Sequence, residues 1–335
     1  MRRALTFPSV AARASPRHFS TSATTADSLG AAVVGCGKMG EAMVRGILAS
    51  SQPTGVRLVA ASDLNAGRRD LFTEIGVPNV TRANAECVEG ADIVILAVKP
   101  QHVAAVCEEL KPTIKPDALV LSIAAGTTVG FLSHALGTPN VVRAMPNTPA
   151  TIGEGITCWT STPDMPEAQV GAARAILESL GDEVFVEEES MIDMATAISG
   201  SGPAYCFLFM ECMIDAGVHI GFPRHVAQKL VQKTMLGSAM YAVESPDVHP
   251  AQLKNDITSP AGTSAAALYA AERGNFKTVI SDSIWAAYRR SLELGGMSSD
   301  VGPGRSQVTS ASTDMRRLIR SVSDIEKRVG SVEQR

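Results

Sequence analysis

The sequence predicts an α/β protein: a Rossmann-type doubly wound parallel sheet followed by an all-α domain. Three observations carry this. Short, uninterrupted apolar runs alternate with helical patterns over the first half; a glycine-rich turn directly follows the first run; and strand signals stop at Glu187-Glu188-Glu189-Ser190. Strands that are apolar throughout are buried on both faces, which is the situation of a parallel sheet covered by helices.

In order, Ala31–Val34 reads as the first strand and Gly35-Cys36-Gly37-Lys38-Met39-Gly40 as the turn into a helix over 41–50. Further strands are predicted at 56–61, near Val80, at 92–98, 118–123 and 140–143, with 155–160 and 184–186 finishing the sheet. Beyond Ser190 the pattern turns helical at 191–217, 223–244, 263–273 and 277–294. Pro223 suits a first helical position. The domains are therefore 1–27 (leader), 28–189 (dinucleotide-binding), 190–298 (all-α, dimerisation and substrate) and 299–335 (a Ser-rich, charged tail).

Composition narrows the function. The chain has 335 residues, 45% of them hydrophobic and 19% charged, which excludes disorder and is enough for about two packed domains. Aromatics are 4%, so the core must rest on Ala, Val, Leu, Ile and Met. A net charge of −4 argues against nucleic acid as a partner. No span reads as transmembrane, because the best candidate, 194–210, is broken by Gly200, Gly202 and Pro203, so no membrane is expected. Six cysteines and six histidines are scattered without a C-x-x-C, so neither a disulfide framework nor a metal site is expected. The leader carries Arg2, Arg3, Arg13 and Arg17 and no acidic residue before Asp27, the signature of an organelle transit peptide. Arg17-His18-Phe19-Ser20 resembles a mitochondrial processing site. Mitochondrial localisation is therefore expected, with the cytoplasm as the alternative.

The chemistry-bearing residues gather at predicted strand ends, where open α/β sheets bind ligands. Gly35-x-Gly37-x-x-Gly40, after a buried strand and before a helix, predicts a pyrophosphate cradle. Asp63, 23 residues beyond Gly40, stands where a carboxylate holds the adenine ribose and favours NAD(H). Ser62 precedes it, and Arg68 and Arg69 follow, where a guanidinium could meet the 2′-phosphate of NADP(H), so both cofactors stay open. The plainer reading of the arginine pair is a solvated helix face. Ala97-Val98-Lys99-Pro100, Ala124-Ala125-Gly126 and Met145-Pro146-Asn147 end three further strands on the same crevice. In the helical half, Ser199-Gly200-Ser201-Gly202-Pro203 reads as a kink or as backbone exposed to a ligand. Thr258 to Ser264 precedes a helix, so Thr263 or Ser264 is an N-cap, a carboxylate site, or both.

Together these segments resemble the Δ1-pyrroline-5-carboxylate reductases over about Ala31 to Leu294. The resemblance rests on Gly35-x-Gly37-x-Met39-Gly40, Ala97-Val98-Lys99-Pro100-Gln101, Arg143-x-Met145-Pro146-Asn147-Thr148-Pro149, Ser199-Gly200-Ser201-Gly202-Pro203-Ala204-Tyr205, and His249-Pro250-x-Gln252-Leu253-Lys254 running into Thr258-Ser259-Pro260. It implies reduction of pyrroline-5-carboxylate to L-proline with NADP(H) or NAD(H), and a homodimer that can build up to a decamer. It also implies that Gly35, Cys36, Gly37, Lys38 and Met39 cradle the dinucleotide, with Ser62, Asp63 and Asn84 at the adenosine half. Ala97, Val98, Lys99, Pro100, Ala125 and Asn147 would lie on the nicotinamide side. Gly262, Thr263 and Ser264 would hold the substrate, with Ser264 and Lys99 as the catalytic candidates. Two departures stand out: Ala261 replaces a glycine common in the family, and Ser264 a threonine. Rival readings are a β-hydroxyacid or ketopantoate reductase of the same plan, and a non-catalytic dinucleotide sensor.

Overall fold

The computed structural model describes residues 28–50 and 55–303. The leader and nearly all of the tail lie outside the described residues. The chain runs β1 (Leu29–Val34), α1 (Lys38–Ala49), β2 (Val56–Ser62), α2 (Ala66–Glu74), β3 (Val80–Thr81), α3 (Asn84–Val88), β4 (Ile93–Leu96), α4 (Val103–Leu110), β5 (Leu119–Ser122), α5 (Val129–Leu136), β6 (Val141–Met145), β7 (Gly155–Ser161), α6 (Glu167–Glu178) and β8 (Gly181–Phe185). Six helices follow: α7 (Ser190–Ala195), α8 (Gly202–His219), α9 (Arg224–Val243), α10 (Pro250–Asp256), α11 (Thr263–Arg273) and α12 (Phe276–Leu294).

The eight strands form one sheet in the order β3-β2-β1-β4-β5-β6-β7-β8. The order reverses between β1 and β4, which opens a crevice at the carboxyl ends of those strands. The central strands are buried at every position, with successive side chains entering opposite faces. Val33, Ile95 and Leu121 pack with Met43 of α1 and Ile176 of α6 on one face, while Val34, Leu96 and Val120 pack with Leu110 and Leu132 on the other. Trp159 is the largest fully buried side chain.

The sheet is parallel except at one place. β7 runs antiparallel to β6. Their connection is a short loop with one 3-10 turn, Thr148–Ile152, whereas a parallel crossover needs about a dozen residues or more. α6 then supplies a full crossover, and β8 lies parallel to β7.

The two halves meet over a buried ionic cluster. Arg143 of β6 pairs with Asp193 of α7 at 2.9 Å and with Glu189 at 3.0 Å. Asp193 also accepts the Ser291 hydroxyl of α12 at 2.7 Å, and Glu189 accepts the Val129 amide at the start of α5. Nearby, Gly126 meets the end of α12 so closely that a Cβ there would lie 2.7 Å from the Gly295 nitrogen.

Between α7 and α8 the helix widens into a π turn, Thr196–Gly200, with Ser201 N–H donating to the Thr196 carbonyl at 2.8 Å. Thr196 and Ser199 hydroxyls back-bond to carbonyls four residues earlier, a known source of helix distortion. The Ser-Gly-rich segment therefore contains a π-helical turn running straight into α8. The run 190–219 is long and apolar enough, by length and composition, to cross a bilayer, and 6% of its apolar window is buried within one chain. It also contains the fully buried, ion-paired Asp193. α8, α10 and α11 bury no residue, and α9 buries Ala227 and Val231 alone. Phe207, Leu208, Leu236, Tyr241 and Tyr269 stay exposed.

Candidate active site

The glycine-rich turn divides its labour. Gly35 has φ +100, and a Cβ there would lie 2.7 Å from the Ala97 carbonyl oxygen. A Cβ on Gly40 would lie 2.2 Å from the Gly35 carbonyl oxygen. These two glycines let the turn fold tightly onto β4. Gly37 is different: it is the N-cap of α1 at φ −66, and a Cβ there meets nothing within 4 Å. Space is kept in front of Gly37, beside a helix start whose first N–H groups have no intrahelical acceptor. That cradle fits a diphosphate.

A cleft of about 290 Å³ opens from this turn across the ends of β2 and β4. Of the predicted residues, Gly35, Gly37, Ser62, Asp63, Asn84, Ala97, Val98 and Lys99 line it. Asp63 is held from two sides: Oδ2 accepts the Cys36 N–H and Oδ1 accepts the Asn65 N–H, each at 2.8 Å. The Ser62 hydroxyl donates to Asn84 Oδ1 at 2.8 Å, and the Asn84 amide donates to Glu109 at 2.8 Å. The arginine pair is engaged on this loop system. Arg68 donates to the Cys36 and Gly37 carbonyls and pairs with Glu41, while Arg69 donates to the Asp63 and Leu64 carbonyls. They brace the turn rather than forming a solvated face.

Other predicted residues lie elsewhere. The Cys36 side chain is buried under the turn with Sγ at 3.4 Å from the Ser62 carbonyl oxygen, and its backbone N–H and carbonyl are taken by Asp63 and Arg68, so Cys36 does not line the cleft. Burial, with the Asp63 carboxylate adding to it, pushes its thiol up to about 12. Lys38 and Met39 open α1 outside the cleft lining, and Met39 packs on the core. Pro100 starts a 3-10 turn. Ala125 packs with Met145 and Ile192 at the domain junction. Asn147 accepts the Ile156 N–H at 3.0 Å through its side chain, which ties the β6–β7 loop down. Leu64, His102 and Val106 line the cleft without having been singled out in the sequence. His102 ends the 3-10 turn that begins at Pro100, and Val106 lies in the first turn of α4 after it.

Gly262, Thr263 and Ser264 are not brought to the cleft of their own chain, whose lining comes from residues 35–106. The N-cap of α11 is Gly262, without a side-chain cap, rather than Thr263 or Ser264. The N–H groups of the first turn therefore lack both intrahelical and side-chain acceptors. Ala261, just before, sits at φ +58 in the left-handed region, which accounts for the glycine usual in the resembling family.

Two halves of the chain match described families. Residues 31–126 match an NADP oxidoreductase family described as coenzyme F420-dependent, and residues 189–294 match the pyrroline-5-carboxylate reductase dimerisation family. A pyrroline-5-carboxylate reductase of Pseudomonas aeruginosa is 39% identical over 264 residues, covering 78% of this chain and 96% of the relative. The chain belongs to the pyrroline-5-carboxylate reductase family. The Arabidopsis thaliana pyrroline-5-carboxylate reductase is 38% identical over 269 residues, covering 80% of this chain and 96% of that one. The Plasmodium falciparum enzyme, solved with NADP bound, superposes with a TM-score of 0.71 at 32% identity, over 80% of this chain and 99% of that one. A family member with this turn is an oxidoreductase using a nicotinamide dinucleotide, and the open space at Gly37 accommodates that group.

Proposed function

We propose that the chain reduces Δ1-pyrroline-5-carboxylate to L-proline with NADPH or NADH. The observation that carries this is the match to pyrroline-5-carboxylate reductases over both halves, joined to a glycine cradle with room for a diphosphate. When bound, the reduced dinucleotide supplies a hydride. The start of α1 would hold its diphosphate, and Ser62, Asp63 and Asn84 its adenosine half. Ala97, Val98 and Lys99, at the end of β4, would face the nicotinamide half. The cyclic imine is electrophilic once protonated, so the chain's task is chiefly to position it. The unpaired N–H groups at the start of α11 suit the substrate carboxylate, and the Ser264 hydroxyl suits the ring nitrogen as it becomes an amine.

That helix start lies outside the cleft of its own chain, and α8, α9 and α11 carry exposed large apolar residues. Both features support a homodimer in which α11 of one copy closes over the cleft of its partner. A decamer built from such dimers is the larger assembly proposed. The same pairing gives the apolar 190–219 run a protein cover in place of a membrane. Arginines without acidic residues in the leader support import into mitochondria rather than a cytoplasmic enzyme.

Initial rates of dinucleotide oxidation test the substrate. Turnover is expected with pyrroline-5-carboxylate and not with 2-ketoacids. Turnover restricted to ketoacids, or dinucleotide binding without any turnover, would refute the proposal.

A further inference from the structure

We infer that Asp63, with Arg68 held away on Glu41, sets the adenosine end of the cleft for NADH over NADPH. This rests on the reading above that the cleft takes the adenosine half of a dinucleotide. Asp63 lines the cleft at the end of β2, with its rotamer fixed by the Cys36 and Asn65 N–H groups at 2.8 Å each. Each ionised carboxylate oxygen accepts about two hydrogen bonds, so each still has capacity for a ribose hydroxyl. A diol finds two acceptors there; a 2′-phosphate finds a like charge.

The groups that could offset that repulsion are committed elsewhere. No guanidinium is among the described residues that line the cleft, and Lys99 and His102 belong to the β4 end, two strands from β2. Arg68 is spread over the Cys36 carbonyl, the Gly37 carbonyl at 3.2 Å and Glu41 at 2.9 Å. Glu41 is in turn held by Arg45 at 2.9 Å, and these partners keep its carboxyl below the usual carboxylate range. Arg69 points at the Asp63 and Leu64 carbonyls, at 2.8 and 3.0 Å. The Ser62 proton is given to Asn84, and Asn84 is tied to Glu109, which brings a second carboxylate to this end. Arg82, beyond β3, is exposed and outside the lining.

The test is calorimetric titration of the full chain with NADH and with NADPH, in the absence of imine. NADH is expected to bind at least about tenfold more tightly, because the 2′-phosphate of NADPH is brought against a like charge. Asp63→Ser should move the ratio towards NADPH by about tenfold or more. Because that variant also loosens the turn, Glu41→Gln is the second arm: it keeps Asp63 and releases Arg68, and should tighten NADPH binding several-fold relative to NADH. Equal or tighter binding of NADPH by the native chain, or a ratio that neither variant moves, would overturn the inference. Tight NADH binding with no turnover of pyrroline-5-carboxylate would overturn the proposed substrate while still supporting this preference.

Discussion

Replacing Asp193 with alanine should destabilise the chain by about 3–5 kcal/mol, the cost of leaving a buried charge without its partner. The structure sets the scale. The Arg143 side chain is 1% exposed and that of Asp193 0%, so water cannot take the place of the lost carboxylate. The same substitution strips the acceptor from the Ser291 hydroxyl, which is also buried. Glu189 holds the other arm of Arg143 but is 33% exposed, so Glu189→Ala should cost about 1 kcal/mol, as expected for a partly solvated pair. For a chain of this size the Asp193 variant should melt about 10 °C lower, and the Glu189 variant about 3 °C lower. Scanning calorimetry and urea unfolding of the three proteins read this directly. A further variant, Arg143→Met with Asp193→Leu, removes both charges and should recover most of the loss, because apolar replacement of a buried pair is often neutral. An Asp193→Ala protein within about 1 kcal/mol of the native chain would refute the view that this cluster joins the two halves.

Gly37→Ala should unfold like the native protein yet bind dinucleotide at least about tenfold more weakly by titration, since its Cβ enters only the space kept for the diphosphate. Gly40→Ala, with a Cβ 2.2 Å from the Gly35 carbonyl oxygen, should instead lower the melting temperature; equal behaviour of the two would contradict the division of roles in the turn. Ala261→Gly should raise stability by about 1 kcal/mol in urea unfolding by relieving a left-handed alanine, and a destabilised variant would count against that strain. Burial holds the thiols of Cys36 near 12 and of Cys87 and Cys107 near 11, above the ordinary value of 9.0. Between pH 9 and 11 the folded state therefore keeps more protons than the unfolded one, so the urea midpoint should fall as pH rises through that window, less so in Cys107→Ala. A midpoint that rises over that range would oppose it.

Much of this was legible in the sequence because it depends on local chemistry. Ile93–Leu96 is apolar throughout because both its faces are covered, and Gly35, Gly37 and Gly40 announce the turn by their spacing. The end of the strands at Ser190 is equally local, since apolar residues there switch to helical periodicity. What escaped depends on chain length and distant partners. The antiparallel β7 follows from a connection too short for a crossover, yet its apolar pattern reads the same in either direction. α10 is only seven residues long, and its His249-Pro250 start reads as a motif before it reads as an N-cap. Arg143 and Asp193 lie 50 residues apart and look like ordinary surface charges until β6 and α7 are packed together. Asn147 drew notice because it ends a strand at the crevice; that its side-chain oxygen accepts a backbone N–H of the neighbouring strand depends on a pairing nine residues away.

Mixing two disabled chains tests most directly whether substrate and dinucleotide are gripped by different copies. Gly37→Asp puts a carboxylate where the diphosphate would lie, at an exposed N-cap that tolerates it, and Ser264→Ala removes the hydroxyl offered to the imine. Each alone should have kcat/KM reduced by about tenfold or more. Refolded together in equal amounts, they should regain about a quarter of native activity, because half the dimers are hybrids and each hybrid carries one intact site. A mixture no more active than its two components would mean that each chain completes its own site, and would contradict the account.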